Sequence, residues 1–414
     1  MSMRIAGVRP VRSAKKFHWR LAQQPRHTYG SMRMSASFRQ VEHTISGSHT
    51  REYLGATANG DDDVPQLAVK QYIPLNNPRP QPGDVTIIGA HANGFPKVSP
   101  LPAFGLWPED PNSQELTISA GVYCQTHAFP ASWFDHARDL MNLINSKQDD
   151  IRHAIAGIRH SMGGTQLCLL SLMHPRLLDS LVLIEPVIQM QNGGVIPAVL
   201  STRRRDAWPS TQEAVSKFKG TKFYQAWDPR VLDRWVKYGL RRGPTELYPE
   251  ADGEQATLTT TKHQELFTFL RPTYRSESAD AIVDRDPLGA GIPGVSVLPA
   301  RAGTRLPAGT GPAPQHAEKM ARTGTGVGGS GGAEAGRVRQ AVLDCGHLVA
   351  MEKVAESADA IGEFLGEDLA RQSKERKKFG RRWKEKTRRE QFTIDERWAS
   401  EVKPSSLDGR GTKL

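Results

Sequence analysis

Ser161 lies in Arg159-His-Ser-Met-Gly-Gly164, between the short apolar run Ala154-Ile-Ala-Gly-Ile158 and the strongly apolar stretch 165–173. A serine hydroxyl is a poor nucleophile at neutral pH. To attack a carbonyl it must sit exposed on a turn, within reach of a histidine, with N–H groups aimed at the developing oxyanion. A tight turn from strand into helix meets these needs. Gly163 and Gly164 let the helix approach the strand closely, and the helix N-terminus behind the serine favours negative charge. The backbone of Met162 is the expected first oxyanion donor. A serine in an ordinary glycine turn is the plain alternative, and the flanking strand and helix argue against it. Arg159 departs from the pattern, because glycine suits the position two before the serine; its side chain is expected to point to solvent, and the departure bears on activity more than on fold.

The base expected for Ser161 is His347. The turn Asp344-Cys-Gly-His347 follows the expected last strand, 338–343, and precedes an expected closing amphipathic helix, 354–365, which completes the chain order serine, acid, histidine. His136 falls within a helical pattern, His160 is adjacent to the nucleophile, and His91 reads as a loop residue. The acid is less obvious. One usual position follows the next-to-last strand, yet no Asp or Glu occurs between Asp286 and Glu318. Glu185 instead ends the apolar run 181–184 just before Pro186, where a carboxylate can reach the same histidine from a neighbouring strand. It is assigned the orienting role, with Asp286 as the fallback and a surface carboxylate as the plain alternative. The backbone of Phe95, in His91-Ala-Asn-Gly-Phe-Pro96, is the expected second oxyanion donor.

The elements that must position these residues read as follows. Alternation marks a strand at 67–73, and 85–90 is a buried-strand pattern ending at the His91 loop. Residues 98–130 carry many prolines and no periodicity. Ser132 and Asp135 open a helix through about Asn145. Strand 154–158, turn, helix 165–173 and strand 181–184 make a βαβ unit, hence a parallel sheet. Residues 190–285 read as a helical lid insertion, with helix starts at Ser210/Glu213, Asp228-Pro229 and Thr261/Gln264. A weak strand follows at 291–297. The glycine-rich stretch 324–336 lacks the Lys-Ser/Thr of a phosphate loop and reads as linker. The expected fold class is α/β, a mostly parallel central sheet flanked by helices.

Length and composition bound the rest. A chain of 414 residues accommodates one large domain, placed at 36–370, with extensions at 1–35 and 371–414. Three scattered cysteines form neither a disulfide framework nor a zinc pattern, and no apolar run suggests a membrane span or secretory signal; a soluble, unsecreted protein is expected. The net charge of +11 is concentrated: residues 371–390 hold eleven Lys and Arg against three Glu. That run reads as a solvated helix with internal ion pairing rather than a nucleic-acid or membrane arm. Residues 1–35 contain no acidic residue, as in a mitochondrial presequence or an unstructured basic extension.

The blocks Gly83-Asp-Val-Thr-Ile-Ile-Gly-Ala-His-Ala-Asn-Gly-Phe-Pro-Lys97, Ser132-Trp-Phe-Asp-His-Ala-Arg-Asp139, His160-Ser-Met-Gly-Gly164, Arg271-Pro-Thr-Tyr-Arg-Ser-Glu-Ser278 and Gly346-His-Leu-Val-Ala-Met-Glu-Lys353 together resemble the fungal α/β-hydrolases that include peroxisomal hydrolases of host-selective toxin biosynthesis. The resemblance spans about 35–400, with gaps. It implies a Ser-His-acid hydrolase without metal or cofactor, acting on a carboxylic ester or thioester through an acyl-enzyme on Ser161, with His347 and Glu185, in secondary metabolism. Three departures stand out: residues 98–130 lack an apolar strand before the Trp133 helix, 298–313 are Pro/Gly-rich where a strand end belongs, and Arg159 replaces glycine. They favour a second reading, a relative without catalysis that binds a small molecule or a protein. The final Thr412-Lys-Leu414 resembles the peroxisomal address Ser-Lys-Leu, which implies a peroxisomal import receptor as partner and a peroxisomal location, with mitochondrion or cytoplasm as alternatives.

Overall fold

The protein is represented by a computed structural model. It describes residues 38–51, 63–75, 77–79, 81, 84–90, 93–94, 118–126, 133–174, 176–188, 195–270, 295–298, 300–302, 323–325 and 330–394, with backbone alone at 118–126 and 295–302. Strands β1 (Phe38–Ser46) and β2 (Gln66–Pro74) pair antiparallel. They are followed by β3 (Val85–Ala90), β4 (Ile118–Thr126), α1 (Trp133–Ser146), β5 (Ile155–His160), α2 (Met162–Met173) and β6 (Ser180–Ile184). A run of short elements comes next: α3 (Val195–Arg203), β7 (Ala207–Trp208), α4 (Thr211–Lys219), α5 (Lys222–Gln225), α6 (Pro229–Tyr238), β8 (Leu240–Arg242), β9 (Ala256–Leu258) and α7 (Lys262–Leu270). The chain returns through β10 (Val295–Leu298), β11 (Ala300–Ala302), β12 (Val338–Gln340) and β13 (Leu343–Cys345), and closes with α8 (Val349–Glu352), α9 (Val354–Glu385) and α10 (Arg388–Phe392).

Eight strands form the central sheet in the order β1-β2-β4-β3-β5-β6-β10-β12. Every pairing from β4 to β12 is parallel, and β2 pairs antiparallel with both neighbours. The middle strands are apolar throughout because both faces are covered. In β6, Leu181 and Leu183 join a core with Leu140, Leu143, Leu167 and Leu170 of α1 and α2. Val182 and Ile184 face the opposite core, with Ile361, Phe364 and Leu365 of α9. Each such fully buried side chain stabilises the fold by about 1.5–3 kcal/mol. Trp208, Phe218, Trp227 and Trp235 extend the second core into the region between β6 and β10, and it ends on Val349, Ala350 and Met351 of α8.

Four expectations need correction. The strand thought absent from 98–130 is β4, which fills the place between β2 and β3; in its Ile118-Ser-Ala-Gly-Val-Tyr-Cys-Gln-Thr126 a short alternation of Ile118, Ala120, Val122 and Cys124 with more polar or smaller residues is present but weak. The single last strand 338–343 is two, because β12 ends at Gln340 and β13 pairs with β11 instead. The helix expected at 354–365 runs 32 residues, straight across position 370, since Leu369 and Gln372 continue its buried face. At Ser210 only half of the capping box forms: the hydroxyl accepts the Glu213 N–H at 3.2 Å, while the Glu213 carboxylate pairs with Arg205. The Thr261/Gln264 box does close in both directions.

Candidate active site

Ser161 sits between β5 and α2 with φ 58° and ψ −130°, a conformation L-residues rarely adopt. The neighbouring strand holds it there. Its N–H donates to the Ile184 carbonyl at 2.9 Å, and its own carbonyl accepts from Gly164 at 2.9 Å and Val187 at 3.3 Å. The glycines explain how the turn fits. A Cβ on Gly164 would lie 2.7 Å from Pro186 Cβ and 3.2 Å from its Cα, and one on Gly163 would lie 2.6 Å from Arg159 Cδ. Met162 is the first residue of α2, where N–H groups have no carbonyl of their own helix to bond.

Ser161 Oγ and His347 Nε2 are 2.9 Å apart. With the hydroxyl donating, Nδ1 carries the imidazole proton and faces Glu185 Oε2 at 3.4 Å. That bond is long, as such bonds often are before substrate binds. Glu185 also has a positive φ, 42°, because the chain turns sharply where β6 ends. The structure thus brings together Ser161, His347 and Glu185, three residues separated by up to 186 positions in sequence. Asp286 and Phe95 lie outside the described residues, as does the Thr412-Lys-Leu414 end.

His160 is a participant that its position beside the nucleophile did not reveal. It is buried, and its Nε2 stands 2.8 Å from the His347 carbonyl. A carbonyl only accepts, so Nε2 carries the proton. The two rings are 5.1 Å apart, centroid to centroid. Burial, followed by the neighbouring His347, pushes the His160 pKa down to about 3, against a smaller upward pull from its bond to the His347 carbonyl. His160 is therefore a neutral prop under the backbone of the candidate base. The loop is held from other sides too: the Gly346 N–H donates to Glu352 Oε2 at 3.3 Å, and the Asp228 N–H to the Met351 carbonyl at 2.8 Å. The expectation of a solvent-pointing Arg159 is overturned. It is 1% exposed, runs inward beneath the turn, donates to Gln166 of α2 and lies 2.6 Å from His136 Nε2 of α1. The space that glycine usually leaves two before the serine is recovered by Gly163.

After β3, Gly94 has φ 82° and its Cα lies against Glu265 of α7, so close that a Cβ would come within 2.4 Å of Oε1. Asn93 Nδ2 donates to the Glu265 carbonyl at 3.2 Å. The Glu265 carboxylate is itself held by Ser201 at 2.9 Å and Arg204 at 2.7 Å. Among the described residues no group of three His, Cys, Asp or Glu is placed to hold a metal ion.

A mostly parallel eight-stranded sheet with an antiparallel second strand, and a serine on the turn after β5 facing a histidine from the loop after the last strands, define an α/β-hydrolase. The peroxisomal α/β-hydrolase Lpx1 of Saccharomyces cerevisiae superposes with a TM-score of 0.63 over 81% of this chain and 90% of its own, at 16% identity. No family model matches the sequence. The type I acyl-CoA thioesterase mpaH' of Penicillium brevicompactum is 31% identical over 425 residues, 89% of this chain and 96% of the relative. The mpaH thioesterase of Penicillium roqueforti (strain FM164) is 30% identical over 91% of this chain and 98% of its own. The chain belongs to the fungal α/β-hydrolase family that contains these proteins. A shorter match, 28% over 127 residues, relates it to the abhydrolase domain-containing protein AFT2-1 of Alternaria alternata.

Proposed function

We propose that this protein is a serine hydrolase that cleaves an acyl thioester, with acyl-CoA as the substrate class, through an acyl-enzyme on Ser161. The observation that carries this reading is the 2.9 Å approach of His347 Nε2 to the strained Ser161 hydroxyl. The thioester preference rests on the near full-length similarity to mpaH thioesterases. His347 takes the Ser161 proton as Oγ adds to the thioester carbonyl, and Glu185 stabilises the imidazolium that forms. The backbone N–H groups of Met162 and Phe95 receive the oxyanion. Collapse breaks the C–S bond, and the thiolate leaves with the proton from His347. Water, deprotonated by the same imidazole, then adds to the acyl-enzyme and releases the carboxylic acid and the serine. The helices α3 to α7 form the lid and pocket wall, and secondary metabolism and the peroxisome are the expected setting.

The test is a fluorophosphonate probe together with a thiol-release assay on acyl-CoA substrates. Wild type is expected to label and to release thiol; Ser161→Ala is expected to do neither, with turnover down by about 10³-fold or more. A folded wild type that neither labels nor releases thiol, yet binds acyl-CoA equally well with and without Ser161, would establish the binding-protein reading instead.

A further inference from the structure

The basic run 371–390 is solvated, but from 377 onwards its Lys and Arg form no ion pairs among the described residues. The last tie between α9 and the sheet is Arg376 to Asp179 at 2.7 Å. No described residue after Gln372 is buried, and beyond Arg376 the last nine residues of α9 project over about 14 Å at about 1.5 Å per residue. Between 377 and 394 there are eight Lys and Arg against two Glu, and none of the eight forms an ion pair among the described residues. Phe379 and Trp383, one turn apart, stack at 5.8 Å and 16° and are 62% and 42% exposed. Phe392 and Ile394 add two more large apolar side chains, 79% and 74% exposed. A charged arm without such side chains would be equally soluble, so water does not account for them.

We propose that this arm is a peripheral membrane anchor that lies in the headgroup region of an anionic phospholipid bilayer. The cations match a negative lipid surface, and the apolar side chains match the boundary with the hydrocarbon. Three features select this occupant. A second copy of the arm brings the same charge and repels. Single-stranded nucleic acid needs open ring faces, whereas Trp383 has Phe379 on one side and Lys386 over its ring at 5.6 Å, and Arg388 lies 6.0 Å over Phe392. Ile394 has no ring at all but suits hydrocarbon. Among the described residues no helix is long and apolar enough to cross a membrane, so the arm lies on the bilayer.

The proposal is tested with the full chain by vesicle flotation. Phosphatidylcholine vesicles are compared with vesicles in which about one lipid in four is phosphatidylserine. The protein is expected to float only with the anionic vesicles, at least tenfold less well when salt rises from about 0.1 M to about 1 M. The double variant Phe379→Ser/Trp383→Ser is expected to bind about tenfold more weakly with the same thermal stability and unchanged thiol release, since neither residue touches the site around Ser161. Equal flotation with neutral vesicles, no flotation at all, or wild-type binding by the double variant each overturns it. Tighter binding to a single-stranded RNA oligonucleotide than to the anionic vesicles overturns it as well and assigns the arm to nucleic acid.

Discussion

Ser161, His347 and Glu185 are legible in the sequence because chemistry restricts which residue types can serve and the fold restricts where they can stand. Glu185 emerges largely by elimination, and the 3.4 Å approach to His347 Nδ1 gives it something to do. Replacing it with Gln keeps the shape and removes the charge proposed to stabilise the imidazolium; kcat for thiol release is expected to fall by about 10²–10⁴-fold with little change in KM, measured by steady-state kinetics. His160 was not legible in that role, because nothing local says that its ring reaches a carbonyl 187 positions away. Gln places an N–H donor near the His Nε2 position and Phe does not, so His160→Phe should lower kcat by about 10- to 100-fold and His160→Gln should recover most of it. The buried ring also sets an acid limit. Its folded pKa is about 3 against an ordinary 6.5, so the unfolded chain binds a proton that the folded one refuses as pH falls from 6.5 towards 3. Stability is lost across that window on acidification. Thermal melts of His160→Gln should decline less steeply below pH 6.5 than those of wild type, and parallel curves would contradict the assignment.

Among elements, the turn after β5 depends on close approaches. Ala at Gly164 would press on Pro186 Cβ and Cα at 2.7 and 3.2 Å, and backbone cannot swing aside as a side chain can. A loss of about 1–3 kcal/mol is expected from denaturation of Gly164→Ala. Gly94→Ala adds a strained φ to a 2.4 Å clash with Glu265 and should disturb the loop expected to supply the oxyanion donor, seen as a fall in kcat. Strands β3, β5 and β6 were readable because burial on both faces makes them continuously apolar. β4 was not, since its alternation is short and carried partly by Ala and Cys within a proline-rich stretch, and pairing with β2 and β3 on either side makes it a strand. β1 went unread for a similar reason: its pattern is mostly exposed, and its antiparallel pairing with β2 makes it a strand. Arg159 shows the same limit for a side chain. Its inward course depends on Gln166 and His136, partners on helices that a local pattern does not bring together.

For the whole molecule, the second core joins the sheet to the insertion and to the loop that carries His347. Trp227 and Trp235 pack at 5.8 Å beside Phe218 and Tyr224 in the cluster that ends on α8. Trp235→Ala should cost about 3–5 kcal/mol in chemical denaturation and loosen the His347 loop with the insertion, through the Asp228 bond to Met351. Charge divides along the sequence into two basic ends, eight Lys and Arg without an acid at 1–35 and eleven against three at 371–390, around a domain at 36–370 with 32 Lys and Arg against 37 Asp and Glu. The extent of α9 was not legible, because its buried stripe fades into a charged run without a stop signal until Lys386. Sheet, insertion and loop all meet around one hydroxyl, the one proposed to carry the acyl group. The most direct measurement is mass spectrometry of the enzyme quenched rapidly after mixing with acyl-CoA. An added acyl mass is expected on the peptide containing Ser161, absent in Ser161→Ala; turnover without any acylated peptide, or with the acyl group on another residue, would refute an acyl-enzyme on Ser161.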